Sequence, residues 1–207
     1  MELLLIRHAE PVRIGPGSAA GPADPHLTER GRAQADRLAA WLATEPVDVV
    51  LSSPLRRARD TAGPVGRALG VDVEVVDGLM EYDAHADFYI PVEELRETRD
   101  HHWTAMIEGR WDELGGEPPD QFRARIVPCV DAVIERFPGA TVAAVCHGGV
   151  INVYLAALLG LDRHLWFHPE YTSISRVAAA RTGERSVVTL NETAHLVATR
   201  DAREERT

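Results

Sequence analysis

Five residues of the 207-residue chain carry side chains that could act together on an oxyanion, and each follows a short apolar run. Arg7 and His8 come after the first run, Arg57 after the second, Glu81 after the third and His147 after a later one. Guanidinium groups offer planar pairs of N–H donors to oxyanions, and a neutral imidazole can act as a nucleophile. A carboxyl group beside them could protonate a leaving oxygen and then activate water. The chemistry that this set favours is phosphoryl transfer, and it requires no metal.

The apolar runs alternate with helical patterns, which is typical of buried parallel strands in an α/β fold. We predict a three-layer sandwich in which a mainly parallel sheet carries helices on both faces. Ligands bind such sheets beyond the carboxyl ends of the strands, so the five residues are expected to meet at one rim. The predicted strands are 3–6, 47–51, 71–76, 141–145, 174–180 and 186–190. The predicted helices run from Thr28 to about Leu42, from Ser53-Pro54 to about Leu69, from about Pro119 to Phe137 and from 148 to about 159. Thr28 and Ser53 are the predicted N-caps of the first two helices.

Residues 79–118 interrupt this alternation with tryptophans, histidines and many charges. We interpret this region as an insertion over the carboxyl ends of the strands. No internal repeat or linker is evident, so residues 1–207 are predicted to form a single domain. The tail after Thr199 is the only segment that the sequence predicts to be disordered.

The composition excludes several classes of function. Acidic residues outnumber basic ones by 32 to 22, for a formal charge of −10, which argues against nucleic acid or anionic lipid as a partner. Every basic residue is arginine, which excludes Walker-type phosphate loops and Schiff-base chemistry. The first apolar run is too short for a secretory signal, and no stretch approaches a membrane span. We therefore expect a cytoplasmic protein with no membrane partner.

Four segments, in order along the chain, are similar to landmarks of the histidine phosphatase superfamily, also called phosphoglycerate mutase-like. LIRHAE at residues 5–10 resembles its Arg-His-Gly signature, and residues 24–35 resemble its second landmark. SSPLRRARDTA at residues 52–62 is similar to its Ser-x-Leu-x-Arg-Ala-x-x-Thr-Ala stretch, and VCHGG at residues 145–149 resembles the segment that bears its second histidine. Any one of these motifs is weak evidence, because short motifs recur by chance. On the strength of all four in the family's order, the chain is identified as a member of the superfamily.

The resemblance implies a metal-independent phosphatase that uses no cofactor and acts on a small-molecule phosphomonoester. His8 would be the nucleophile that forms a phosphohistidine, and Arg7, Arg57 and His147 would bind the phosphoryl group, with His147 also among the catalytic residues. Glu81 matches the position of the family's proton donor. The resemblance assigns the phosphate-binding role to Arg57 rather than to Arg56, because the family's arginine directly precedes an alanine, here Ala58.

Three departures from the family pattern leave alternatives open. Ala9 replaces a glycine and favours negative φ, while Pro11 and Ile14 stand where many members have hydrogen-bonding side chains. A phosphate-recognition module without turnover is therefore one alternative. A second is mutase-type phosphotransfer, although the insertion lacks the paired arginines expected of phosphoglycerate mutases. Net hydrolysis is the prediction.

The insertion also raises questions of ligands and specificity. Alternating Asp83, His85 and Asp87 could be metal ligands of a metallophosphatase, but such a pattern in a loop is usually solvated polar sequence. Cys129 and Cys146 indicate neither a disulfide framework nor a zinc site. Trp103 and Trp111 could either line the pocket or pin the insertion to the sheet, and pinning is favoured. The oligomeric state stays open, a homodimer included. Candidate contacts to the substrate are Arg96, Arg99, His101, His102, Arg110 and Arg123.

Overall fold

A computed structural model describes residues 1–18 and 21–197 of the protein. No helix in this part of the chain is long and apolar enough to cross a membrane. The predicted disordered tail lies outside the described residues.

Within these residues, six strands form one mixed sheet. They are β1 (Glu2–Arg7), β2 (Val49–Ser52), β3 (Val73–Val75), β4 (Thr141–Cys146), β5 (Ile174–Ala179) and β6 (Arg185–Glu192). Their order across the sheet is β3-β2-β4-β1-β5-β6. Strands β3, β2, β4 and β1 are parallel, whereas β5 and β6 add an antiparallel edge beside β1. The predicted mainly parallel α/β sheet is confirmed.

Helices cover both faces of the sheet. They are α1 (Glu29–Leu42), α2 (Arg56–Leu69), α3 (Val92–Thr98), α4 (His101–Ile107), α5 (Pro119–Arg136) and α6 (Gly148–Leu159). Alternate residues of β1 enter two different cores, because successive side chains of a strand point to opposite faces. Leu3 and Leu5 pack in a cluster with Tyr154 of α6, whereas Leu4 and Ile6 pack in a second cluster with residues of α1 and α2. The result is the three-layer arrangement that the sequence predicts.

The helix ends show one prediction confirmed and one wrong. Thr28 caps α1, because its hydroxyl oxygen accepts a hydrogen bond from the N–H of Gly31. The predicted cap at Ser53 is wrong, because Ser53 continues the ladder of β2 through a hydrogen bond to a carbonyl of β4. Helix α2 therefore starts only at Arg56, whose N–H donates to Asp24 Oδ1 at 2.7 Å. A side chain from a distant loop thus replaces the local cap.

The predicted insertion contains the short helices α3 and α4 and a small apolar cluster of its own. Leu95 and Met106 are buried in this cluster, and Trp103 packs against it. Trp111 is fully buried in the main core cluster, and its ring meets that of Phe122 of α5 edge to face, with the ring centroids 5.6 Å apart. Trp111 therefore fixes the insertion to the main core, as expected, whereas Trp103 also lines the cavity described below.

Candidate active site

The residues that the sequence singles out for chemistry meet at the carboxyl ends of β1, β2 and β4. Arg7 ends β1 and His8 follows it, Arg57 lies in the first turn of α2, and His147 links β4 to α6. Arg7, His8, Arg57 and Glu81 line one cavity of about 350 Å³. His147 is fully buried beside it, with its ring centroid 5.2 Å from that of His8. The structure therefore brings all five residues together.

The His8 ring presents an unshared electron pair on Nε2. Its Nδ1 lies 2.8 Å from the carbonyl oxygen of Ala9. Because a carbonyl oxygen can only accept, Nδ1 must carry the ring proton, which leaves Nε2 unprotonated in the neutral ring. Burial lowers the pKa of His8 well below its usual value, and the positive charges of Arg57 and Arg7 lower it further. At neutral pH the ring is therefore an uncharged nucleophile.

Arg57 is held by the insertion. Its Nη2 donates to Asp83 Oδ1 at 2.9 Å, and its guanidinium carbon lies 4.7 Å from the centroid of the Tyr89 ring. The arginine side chain is 1% exposed, so its charge is compensated mainly by the Asp83 carboxylate. Asp83 thus serves as an ion-pair partner here.

Arg7 is held by three different segments. Its Nη1 donates to the carbonyl oxygen of Pro169 at 2.7 Å and to Glu93 Oε1 at 3.1 Å. Its guanidinium carbon lies 3.9 Å from the centroid of the Tyr171 ring. These contacts orient the planar guanidinium group before any ligand binds.

His147 is oriented by a serine hydroxyl. Its Nε2 lies 2.7 Å from Ser53 Oγ, which also accepts a hydrogen bond from the N–H of Leu55 at 3.3 Å. The serine can therefore give its own proton to Nε2, which places the ring proton of His147 on Nδ1. Burial lowers the pKa of His147 well below its usual value, with a further contribution from Arg57, so the ring is a neutral donor.

Three buried nitrogens of this group lack a hydrogen-bond partner among the described residues. They are Nε of Arg7, Nε of Arg57 and Nδ1 of His147. Unsatisfied buried donors are rare in native proteins and call for an explanation, such as a ligand. A tetrahedral oxyanion presents several acceptor oxygens and would satisfy donors that converge in this way.

The Glu81 carboxyl group is buried against the N-terminus of α6. Its Oε2 accepts the N–H of Gly149 at 2.7 Å and its Oε1 accepts the N–H of Tyr82 at 3.1 Å. Burial and the nearby charge of Asp83 outweigh these hydrogen bonds and raise the pKa of Glu81 to about 7. A carboxyl group with this pKa can both donate and accept a proton at neutral pH. The amide of Gly149, at the N-terminus of α6, is thus used by Glu81.

Glu93 is a residue of the site that the sequence reasoning missed. It lies in α3, and its carboxylate contacts Arg7 at 3.1 Å, His168 at 3.2 Å and the Tyr171 hydroxyl at 2.9 Å. Arg7 is 86 positions away in the chain, so no local pattern could have indicated the contact. Burial alone raises the pKa of Glu93, but the hydrogen bond from His168 and the charge of Arg7 together hold it well below its usual value.

We expect Glu93 to contribute to stability in a pH-dependent way. A carboxyl group whose pKa is depressed by folding stabilises the protein above its unfolded pKa, near 4.3, and this contribution is lost as the pH falls. Glu93→Gln should therefore be less stable than the wild type at pH 7, and the difference should shrink below about pH 4.

Urea unfolding midpoints of Glu93→Gln and the wild type, measured from pH 7 to pH 3.5, test this expectation. Glu97→Gln, at an exposed position of the same helix, is the matched control and should track the wild type. A stability gap for Glu93→Gln that does not change with pH would contradict the assignment.

The three residues that depart from the family pattern, Ala9, Pro11 and Ile14, lie in the loop after β1 and have defined contacts there. Ala9 is buried with Leu27 and Ala35, and φ is not positive there, so the methyl group is accommodated without strain. Ile14 pairs with Tyr89 through two backbone hydrogen bonds of 2.9 and 2.8 Å, which tie this loop to the insertion. Pro11 forms an isolated bridge with Leu27.

The structure separates the predicted substrate contacts of the insertion. Arg96 lines the cavity, whereas Arg99, His101, His102, Arg110 and Arg123 do not. Arg110 instead contacts Glu108 and Glu113 at the surface. The prediction is therefore wrong for those five residues as cavity-lining contacts. Arg123 lies in α5, beyond the insertion.

The metal-ligand pattern in the insertion does not gather in space. Within residues 1–18 and 21–197, one group of three candidate ligand side chains lies close enough to share an ion, and it consists of Asp100, His101 and His102. None of these lines the cavity. Asp83, which headed the predicted pattern, pairs with Arg57.

Comparisons with known proteins agree with this geometry. The family model described as histidine phosphatase superfamily, branch 1, matches residues 3–193. Phosphoserine phosphatase 1 of Hydrogenobacter thermophilus is 31% identical over 199 residues, which cover 95% of this chain and 94% of that protein. A bifunctional protein of Mycobacterium tuberculosis is 32% identical over 203 residues, covering 94% of this chain and 54% of that protein.

A solved structure shows the same fold with an oxyanion. A mycobacterial glucosyl-3-phosphoglycerate phosphatase in complex with inorganic phosphate has a TM-score of 0.73 and 26% sequence identity, covering 94% of this chain and 98% of that chain. The resemblance inferred from the four sequence segments is confirmed. The chain belongs to the histidine phosphatase superfamily, and it is an enzyme of the phosphatase class.

Proposed function

We propose that the protein hydrolyses small-molecule phosphomonoesters in two steps, through a phosphohistidine on His8 and without a metal ion. The observation that carries the proposal is the neutral His8 ring, with Nε2 unprotonated, in the same cavity as Arg7 and Arg57. The two guanidinium groups supply the positive charge that a divalent metal supplies in other phosphatases.

In the first step, His8 Nε2 forms a bond to phosphorus while the bond from phosphorus to the alcohol oxygen breaks. The Glu81 carboxyl group gives its proton to that oxygen, so the alcohol leaves uncharged. In the second step, a water oxygen attacks phosphorus and the bond to His8 breaks. Glu81 takes the proton from this water, and inorganic phosphate is released. Arg7, Arg57 and His147 donate hydrogen bonds to the phosphoryl oxygens throughout.

The site supports hydrolysis over the two alternatives. Transfer between hydroxyls of a bound phosphoglycerate would need cations for its carboxylate, and of the insertion's arginines only the exposed Arg96 lines the cavity within the described residues. Binding without turnover was supported by Ala9, but its methyl group fits without displacing His8. Two of the three relatives described above are named as phosphatases.

Trapping the intermediate tests the proposal. After rapid quench with ³²P-labelled nitrophenyl phosphate, label should remain on the protein, and it should be lost in acid but retained in base, as a phosphohistidine requires. Turnover should continue in excess chelator. Activity that chelator abolishes and a divalent cation restores would establish the metallophosphatase alternative instead.

Gly149 provides a test of the contact with Glu81. A Cβ atom added at Gly149 would lie 2.2 Å from Glu81 Oε1, so Gly149→Ala must displace the carboxyl group. We expect hydrolysis of alkyl phosphates to fall by more than about tenfold, because the proton donor leaves its position. Gly63→Ala is the matched control, since Gly63 is a helical glycine that does not line the cavity, and a Cβ atom there approaches only the flexible Arg67 side chain, at 3.4 Å. Equal losses in the two variants would remove the contact as the cause.

A further inference from the structure

We propose that the cavity beside the phosphate-binding residues is a subsite for an apolar, aromatic alcohol, and that phosphomonoesters of such alcohols are the preferred substrates. This inference rests on the proposed function and names the leaving group that the function leaves unspecified.

The insertion supplies one wall of the cavity, and this wall is apolar. Its residues are Ile90, Val92, Leu95, Trp103, Met106 and Ile107. Most of them belong to or pack against the insertion's own apolar cluster, so their positions are fixed by packing. A ring that enters the cavity would meet a preformed apolar surface, which is the usual construction of small-molecule sites.

A second part of the wall comes from the loop after α6. Leu165, Trp166 and Phe167 line the cavity from this side. The Asn152 amide holds the loop, because its Oδ1 accepts the N–H groups of Trp166 and Phe167 at 2.9 and 3.1 Å. Its Nδ2 donates to the carbonyl oxygens of Gly148 and Phe167 at 2.9 and 3.1 Å. The Asn152 side chain, which also lines the cavity, is therefore saturated and has no donor left for a leaving group.

Arg7, Arg57 and Asp83 at the cavity also have assigned partners. Asp83 pairs with Arg57 and Glu93 pairs with Arg7, and the remaining donors of both arginines belong to the phosphoryl group in the proposed mechanism. A leaving group that carried an ammonium and a carboxylate would have to place both against apolar walls. Burying an unpaired charge is strongly unfavourable, whereas burying a ring is favourable. Arg96 is the candidate to pair with such a carboxylate, but its side chain is exposed at the rim.

The size of the cavity limits the leaving group. A volume of about 350 Å³ lies near the lower end of the range for small-molecule sites, roughly 300–1,000 Å³. It suits a phosphoryl group with a single ring on a short linker.

Binding of phosphonates tests the subsite without turnover, because the carbon–phosphorus bond is not hydrolysed. The two probes are 2-phenylethylphosphonate and 2-amino-4-phosphonobutanoate, the phosphonate analogue of phosphoserine. We expect calorimetry on the wild-type protein to show at least tenfold tighter binding of the phenyl compound, with a negative heat-capacity change that marks apolar burial. Tighter binding of the amino-acid analogue would overturn the proposal.

Substitutions of the apolar wall locate the effect. Trp103→Ala should weaken binding of 2-phenylethylphosphonate at least fivefold and leave methylphosphonate binding unchanged. Trp41→Ala is the matched control, since Trp41 lies on α1 and does not line the cavity. Ile107→Ser gives a second variant that spares the core, because Ile107 is 55% exposed. Equal weakening of both phosphonates in Trp103→Ala and Ile107→Ser would overturn the subsite.

Turnover separates this inference from the proposed function. The value of kcat/KM should be at least tenfold higher for 2-phenylethyl phosphate than for phosphoserine, although neither alcohol is an activated leaving group. If nitrophenyl phosphate is hydrolysed but phosphoserine is preferred over the phenylethyl ester, the subsite is wrong and the proposed function stands. If no ester is hydrolysed while the phosphonate order holds, the proposed function is wrong and the subsite stands.

Discussion

The His8→Ala variant is expected to lose phosphatase activity by about 10⁴-fold or more while it keeps the wild-type fold. The loss is large because the ring that would form the covalent intermediate is gone, and the remaining residues can only bind and polarise the phosphoryl group. Nitrophenyl phosphate hydrolysis and the thermal unfolding midpoint measure the two expectations. The variant should also carry no acid-labile label after rapid quench.

His26→Ala is the matched control for this prediction. His26 is exposed and does not line the cavity that contains His8, so its removal should leave kcat/KM near the wild-type value. A His8→Ala protein that retained most of its activity would remove His8 as the nucleophile. An unfolded His8→Ala protein would not be informative by itself, and His8→Asn, which keeps a polar side chain, then serves as the second variant.

The Glu81→Gln variant is expected to lose about 10²–10⁴-fold in kcat/KM on alkyl phosphates and less than about tenfold on nitrophenyl phosphate. An alkoxide needs a proton in order to leave, whereas nitrophenolate hardly does. Parallel assays of ethyl phosphate and nitrophenyl phosphate measure the difference. Equal losses on both esters would exclude Glu81 as the proton donor.

The pH profile gives an independent check on Glu81. With its pKa at about 7, the carboxyl group is protonated below that pH and can donate, whereas above it the donor form declines tenfold per unit. In the wild type, kcat/KM for ethyl phosphate should therefore fall above about pH 7. In the wild type, the fall in kcat/KM should be weak for nitrophenyl phosphate. In Glu81→Gln, it should be absent even for ethyl phosphate. A fall of the same size in that variant would assign the basic limb to another group.

The sequence predicts those parts of the fold that local patterns determine. The apolar run that ends at Arg7 is a strand, and Thr28 caps the helix that follows the first loop. The two histidines and Arg57 could be placed at one rim because residues that follow parallel strands share an edge of the sheet. Glu81 follows the third predicted strand and could be placed at the same rim, although a short 3-10 helix at Asp77–Leu79 separates it from β3.

The contacts made by the insertion could not be predicted in the same way. Helix α3 has seven residues, too few for two turns of apolar periodicity, so its pattern was not recognised. The contact between Arg7 and Glu93 joins positions 86 apart, and Asp83 is 26 positions from Arg57. Such pairs depend on how the chain packs rather than on spacing. For this reason the sequence indicates Asp83 only as a candidate metal ligand, and no sequence pattern indicates the contact of Arg7 with Glu93.

Both arginines of the site are paired with carboxylates that belong to the insertion, Asp83 and Glu93. In a chimaera, the insertion would be exchanged for that of a relative. This would change the pocket wall, and it would also remove the carboxylates that pair with Arg7 and Arg57. Transplants intended to alter selectivity should therefore carry these two acids with them. A graft that omits them would leave two uncompensated guanidinium groups in the interior, and the damage would show as lost solubility before any change in selectivity could be measured.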